Sequence, residues 1–235
     1  MKTIEQPVIF FPGMLCDERI WLPVWQRMSF QQRSYVPLQW ADSLAQMLAL
    51  SQDRIDSFEQ EVHLVGFSMG GFIASVCASQ APGRIASLTL IGYNPKGLTN
   101  EEIRAREQLL KTLHQNTKLT MNKARLKQFV TSDELNNENI TGPVLEMEKD
   151  LGNTVLRGHI QSTTPREDMS KQLQNAPFQI NFITAQHDKI ADCDSIAQLS
   201  QRCLKSTHLN LQDTAHMMLL SQPDVIADQL YKLLN

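Results

Sequence analysis

Short apolar runs rich in β-branched and aromatic residues alternate with segments of helical period along most of the chain, and this alternation restricts the fold more than any other feature. Parallel strands need a crossover between them, which is most often a helix, so such a chain builds βαβ units around a parallel sheet. The candidate strands are 7–11, 34–38, 61–66, 87–92, 179–184 and 207–211. The first of them, Val8 to Phe11, is apolar throughout, as a strand covered on both faces must be. A length of 235 residues suits one such domain. The expected architecture is α/β, with a mostly parallel central sheet of about six strands covered by helices.

Between 93 and 179 the strand signal disappears and helix starts take its place. Thr99 with Glu102 has the spacing of a capping box. Thr164, Pro165 and Glu167 combine a cap, a proline for the first turn and a carboxylate three residues on. Gly142 and Pro143 mark a break, after which a helix is expected to carry Leu145, Met147, Leu151 and Leu156 inward. Residues 1–94 and 177–235 are therefore read as the core, and 95–176 as an inserted helical lid, since insertions of this length commonly carry function.

The strand ending at Val65 runs into Gly66, Phe67, Ser68, Met69 and Gly70, and an apolar helical run follows from Phe72. A sharp strand-to-helix turn brings neighbouring backbones too close for a Cβ two residues before and two after its apex, and Gly66 and Gly70 meet that need. The bare GxSxG pattern is weak; its position between strand and helix gives it weight. The helix that opens after Ser68 turns its free N–H groups toward the serine oxygen, where they favour developing negative charge.

A serine hydroxyl becomes a nucleophile only beside a base, and an imidazole base needs a carboxylate to fix its tautomer. Asp188 falls in the turn after the strand 179–184, and His216 in the loop after the strand 207–211, giving the chain order Ser, Asp, His. His187 is an alternative base. Asp192, Asp194 and Asp213 are alternative acids, although Asp213 is close to His216 in sequence and Asp192 and Asp194 suit the start of a helix. His63, His114, His159 and His208 read as structural or surface residues without metal-ligand spacing. Two backbone amides are expected to receive an oxyanion: that of Met69, and that of Met14 in the turn after the first strand.

These features resemble the α/β-hydrolase superfamily over nearly the whole chain from Phe10 onward. Phe11, Pro12, Gly13 and Met14 with Trp21 resemble its oxyanion loop, residues 66–71 its nucleophile elbow, residues 185–188 its acid turn, and His216 with Pro223 its histidine loop and last helix. Pro12 stands where the family commonly has histidine, and Ala185 where glycine is common. The first strand corresponds to the family's third, which suits six strands rather than eight. The resemblance is to compact bacterial esterases and lactonases with a helical lid, and it implies that Phe67 and Tyr93 face the pocket. It implies a serine hydrolase that cleaves a small to medium acyl ester without cofactor or metal. Thioesterase, enol-lactonase, amide and carbon–carbon hydrolase activities use the same triad. A hydrolase-like protein that binds a ligand without turning it over is a reading of another class.

The remaining properties narrow the partners. A formal charge of −3 does not favour nucleic acid, and the densest basic stretch, 118–127, is spaced like one solvated helix face. No run approaches the roughly twenty apolar residues of a membrane span. Cys16, Cys77, Cys193 and Cys203 show no pairing rhythm, as expected of reduced thiols in a cytoplasmic protein. Met14, Phe67, Tyr93 and the apolar residues of the lid suggest a pocket with few charges and a small-molecule ester or acyl substrate. Mixed charges on the lid also suit a carrier protein bearing the acyl group.

Overall fold

The computed structural model describes residues 3–114 and 123–235. Its strands are β1 (Thr3–Ile4), β2 (Val8–Phe11), β3 (Ser29–Phe30), β4 (Arg33–Tyr35), β5 (Val62–Phe67), β6 (Ile85–Ile91), β7 (Gln179–Ala185) and β8 (Ser206–Leu211). Six of them form one sheet in the order β4-β2-β5-β6-β7-β8, and every neighbouring pair is parallel. All six expected strands are present. β1 and β3 pair separately, and at two residues each they are too short to show a period in the sequence. The strand expected over 34–38 ends early at Tyr35. Its continuation holds Pro37, which has no N–H to donate, and a 3-10 turn follows at Leu38–Trp40.

The helices are α1 (Leu22–Trp25), α2 (Leu44–Asp56), α3 (Met69–Gln80), α4 (Asn100–His114), α5 (Lys123–Leu126), α6 (Glu138–Ser162), α7 (Ser170–Gln174), α8 (Cys193–Ser200), α9 (Met218–Ser221) and α10 (Pro223–Leu233). They cover both faces of the sheet. Along β2, Val8 and Phe10 join one apolar cluster with residues of α9 and α10, while Ile9 and Phe11 join another with residues of α2, α3 and α8. Alternate residues of a strand point to opposite faces, so two-sided cover is what makes an uninterrupted apolar run stable. α3 is buried from Met69 to Ala78.

Between β6 and β7 the described residues form helices and no strand, but these differ in detail from the sequence reading. At α4 the capping box forms: the Thr99 N–H donates to Glu102 at 2.8 Å, and the Glu102 N–H donates to the Thr99 hydroxyl at 3.2 Å. No break occurs at Gly142 and Pro143, because α6 starts earlier, capped by the Asn137 side chain. The kink lies instead at Gly152, whose φ of 67° is one that glycine adopts at little cost. Met147 and Leu156 point inward, whereas Leu145 is exposed. The helix expected from Thr164 starts only at Ser170, whose N–H donates to the Asp168 side chain. The chain before it is tied down by the Met169 N–H donating to the Pro95 carbonyl at 2.9 Å. Of the basic stretch 118–127, residues 118–122 lie outside the described residues, as does the His114 side chain. Among the described residues no helix is long and apolar enough to cross a membrane, and all four cysteines are free thiols.

Candidate active site

Every strand of the main sheet runs the same way, so the loops after β2, β5, β6, β7 and β8 gather at one edge, where clefts form in open α/β sheets. Ser68 follows β5 with φ 52° and ψ −117°, a conformation that non-glycine residues adopt only when their surroundings hold them there. Those surroundings are close-packed backbone. A Cβ on Gly66 would lie 2.6 Å from the Gly70 carbonyl oxygen and the Gly71 Cα, and one on Gly70 would strike the carbonyl oxygens of Phe11 and Pro12. The two glycines thus let the β2 loop lie against the start of α3.

His216, 148 residues after Ser68, places Nε2 3.1 Å from the serine Oγ. Its Nδ1 lies 2.8 Å from Asp188 Oδ2. The other oxygen of Asp188 accepts the N–H groups of Ile190 and Ala191 at 2.8 and 3.0 Å, which fixes the plane of the carboxylate. Asp188 therefore accepts at Nδ1, leaving Nε2 to accept the serine proton. Gly92, with φ 57°, makes room for the pair: a Cβ there would come within 3.3 Å of His216 Cε1 and 3.4 Å of Asp188 Oδ2. The Phe67 ring lies 5.1 Å from the imidazole, and the Phe129 ring, from the stretch between β6 and β7, 6.1 Å from it. His216 is 2% exposed.

The other candidates take different places. His187 is exposed in a separate depression, and Asp192 caps α8 by accepting the Asp194 N–H. Asp213 lies in the turn after β8 with φ 50°, its N–H donating to Gln186. His63 contacts the Ser87 hydroxyl at 2.7 Å and His208 the Thr184 hydroxyl at 2.8 Å. Among the described residues no group of three or more His, Cys, Asp or Glu is placed to hold a metal ion.

The backbone N–H groups of Met14 and Met69 find no acceptor among the described residues. Both residues line the cavity that holds Ser68 and His216, which has a volume of about 450 Å³. The turn that presents Met14 is held by His159, a residue the sequence marked only as structural. The Leu15 N–H donates to His159 Nδ1 at 3.0 Å, and His159 Nε2 lies 3.2 Å from the Leu38 carbonyl, so Nε2 carries the proton. His159 has no exposed surface, and burial lowers its pKa to about 4. Leu15 itself has φ 55°. Phe67 lines the main cavity, while Tyr93 lines an adjoining one of about 340 Å³ that also reaches Ser68. The main cavity is not sparsely charged as the sequence suggested, because Arg106, Arg125, Arg166 and Lys189 all reach it.

The sequence profile of the α/β-hydrolase fold family matches residues 42–223. No curated protein matches the sequence. Among solved structures the chain is similar to an esterase from Thermogutta terrifontis, with TM-score 0.83 and 14% identity over 97% of this chain and 89% of that one. MenH from S. aureus is similar with TM-score 0.81 and 13% identity over 100% and 94% of the two chains. The enol-lactonase from Burkholderia xenovorans LB400 is similar with TM-score 0.76 and 17% identity over 98% and 91%. At such identities these likenesses establish the fold.

Proposed function

This chain belongs to the α/β-hydrolase family, and on that premise we propose that it is a serine hydrolase that cleaves a carboxylic ester through an acyl-enzyme. The observation that carries the reading is the unbroken line Ser68 Oγ, His216, Asp188, with separations of 3.1 and 2.8 Å at the wall of one cavity. His216 Nε2 takes the Ser68 proton as Oγ attacks the ester carbonyl. Asp188 holds the imidazole and balances the charge it acquires. The N–H groups of Met14 and Met69 receive the oxyanion, a contribution of about 3–4 kcal/mol for each donor in comparable sites. His216 then gives its proton to the leaving alkoxide, and a water activated at the same Nε2 releases the acid.

The segment 95–176 acts as the lid. It supplies Phe129 beside His216, and its Arg106 and Leu156 line the cavity, so the substrate meets both the core and the insertion. The size of the cavity suits a small to medium acyl ester, with Phe67 and Tyr93 in contact with it. The test is labelling with a fluorophosphonate probe, which reacts only with an activated serine. Modification of Ser68 that vanishes in Ser68→Ala is expected; folded protein that stays unlabelled overturns the reading. A panel of esters, thioesters, lactones and amides then identifies the bond.

A further inference from the structure

Four cationic side chains line the main cavity against two carboxylates, Glu102 and Glu148, in a protein whose formal charge is −3. Lys189 Nζ donates to the Lys127 carbonyl at 3.0 Å, and Arg125 interacts with another group. The other two are Arg106 on α4 and Arg166 in the loop before α7.

Arg106 uses Nη1 on neutral acceptors only, the carbonyl and hydroxyl of Thr163 and the hydroxyl of Thr164, each at 3.2 Å. Arg166 packs its guanidinium 5.5 Å from the Tyr93 ring centroid and 5.9 Å from that of Phe72, yet its Nε is buried without a hydrogen-bond partner among the described residues. Neither arginine has a carboxylate within ion-pair distance among the described residues. They stand close enough that burial together with the Arg166 charge lowers the pKa of Arg106 to about 10. The charge of Glu102 acts on both, but its Oε2 accepts the Thr99 N–H and hydroxyl at 2.8 and 2.9 Å, and it forms no ion pair with either arginine. Two half-buried guanidiniums with no carboxylate in ion-pair contact among the described residues leave positive charge uncompensated, beside a buried donor without an acceptor.

We infer that Arg106 and Arg166 form an anion subsite, and that the substrate is an ester bearing a free carboxylate, which bridges these two side chains while Ser68 attacks the ester carbonyl. A monoanion offsets the positive charge that Glu102 leaves at the Arg106 and Arg166 pair. A dianionic phosphate would meet repulsion from Glu102. The planar forks of the two arginines give a carboxylate several parallel donors, which a neutral carboxamide cannot use as well.

This inference rests on the serine-hydrolase reading, and its test separates the two. The mono-p-nitrophenyl ester of glutaric acid is compared with that of glutaramic acid, and 4-acetoxybutyrate with 4-acetoxybutyramide; the first pair carries the carboxylate on the acyl arm, the second on the alcohol arm. In at least one pair the wild-type kcat/KM for the carboxylate is expected to exceed that for the carboxamide by about tenfold or more. That ratio shrinks with added salt and falls toward one in Arg166→Met and in Arg106→Met. Ser68 labelled by fluorophosphonate, with wild type preferring the carboxylate in neither pair, overturns the subsite and leaves the hydrolase standing. If Ser68 is not labelled and no ester is cleaved, the hydrolase reading falls and calorimetry decides the subsite. Glutaramate binding more tightly than glutaramide to wild type, with the difference lost in Arg166→Met, supports it; equal affinities overturn it.

Discussion

Replacing His159 with leucine removes a side chain that ties the Met14 turn to the rest of the protein through hydrogen bonds at both ring nitrogens. The substitution keeps the volume roughly constant and takes away both polar contacts. The Leu15 N–H then lies unpaired in a buried place, while the Leu38 carbonyl keeps the Ala41 N–H at 3.1 Å, so a loss of about 1–3 kcal/mol is expected. Domains are stable by about 5–15 kcal/mol, so the variant should still fold. Its activity should suffer separately. Leu15 sits at φ 55°, a conformation costing about 1–2 kcal/mol that the His159 contact helps to maintain, and its release turns the Met14 N–H away from the oxyanion. Loss of one donor lowers kcat by about 10²–10³ with little change in KM. Urea unfolding and steady-state hydrolysis of a p-nitrophenyl ester measure the two effects. His159→Asn separates them: its side-chain oxygen can still accept from Leu15 but does not span to Leu38, so it should recover most of kcat while remaining less stable than wild type. A folded His159→Leu protein with the urea midpoint and kcat of wild type would refute the reasoning.

Three further outcomes are expected. Burial lowers the pKa of both His63 and His159 from 6.5 to about 4, so between these values the unfolded chain binds more protons than the folded one. Stability is therefore full above pH 6.5 and declines as pH falls toward 4, by on the order of 3 kcal/mol for each histidine, which urea midpoints across that range should show. In Gly70→Ala the new methyl meets the Phe11 and Pro12 carbonyls, forcing the β2 loop from α3; a cost of about 1–3 kcal/mol and collapse of ester turnover should appear together in unfolding and rate measurements. Asp188→Asn places an amide where His216 needs an acceptor, and kcat should drop by about four orders of magnitude in stopped or continuous ester assays.

The sheet is legible because its central strands β2, β5, β6 and β7 are buried almost throughout, and because the elbow glycines answer to local sterics that act within five residues. Ser68, Asp188 and His216 are legible by the same logic, each following a strand, and the structure brings them together. Misreadings occurred where distant contacts decide. Pro143 marks a helix boundary by propensity, yet the Asn137 cap set the start of α6 earlier and Gly152 took the kink. Thr164 has the neighbours of a helix cap, but the segment is tied to Pro95 instead. Nothing local distinguishes His159 from a buried structural histidine, since its acceptor role depends on Leu15, 144 positions away. The pocket was expected to be poorly charged because Arg106 and Arg166 stand sixty residues apart on a helix and a loop, each ordinary in its own window.

The bonds that define the cleft join residues very far apart along the chain: Leu15 to His159 spans 144 positions and Ser68 to His216 spans 148. The sheet adds to this, since β2 lies between β4 and β5 and all its pairings are parallel. Closing such long loops costs entropy before any contact rewards it, and chains dominated by non-local pairing fold slowly. The nucleophile, its base and the His159 tether are therefore expected to come into register late in folding, so recovery of probe labelling after dilution from urea should lag behind recovery of helical circular dichroism.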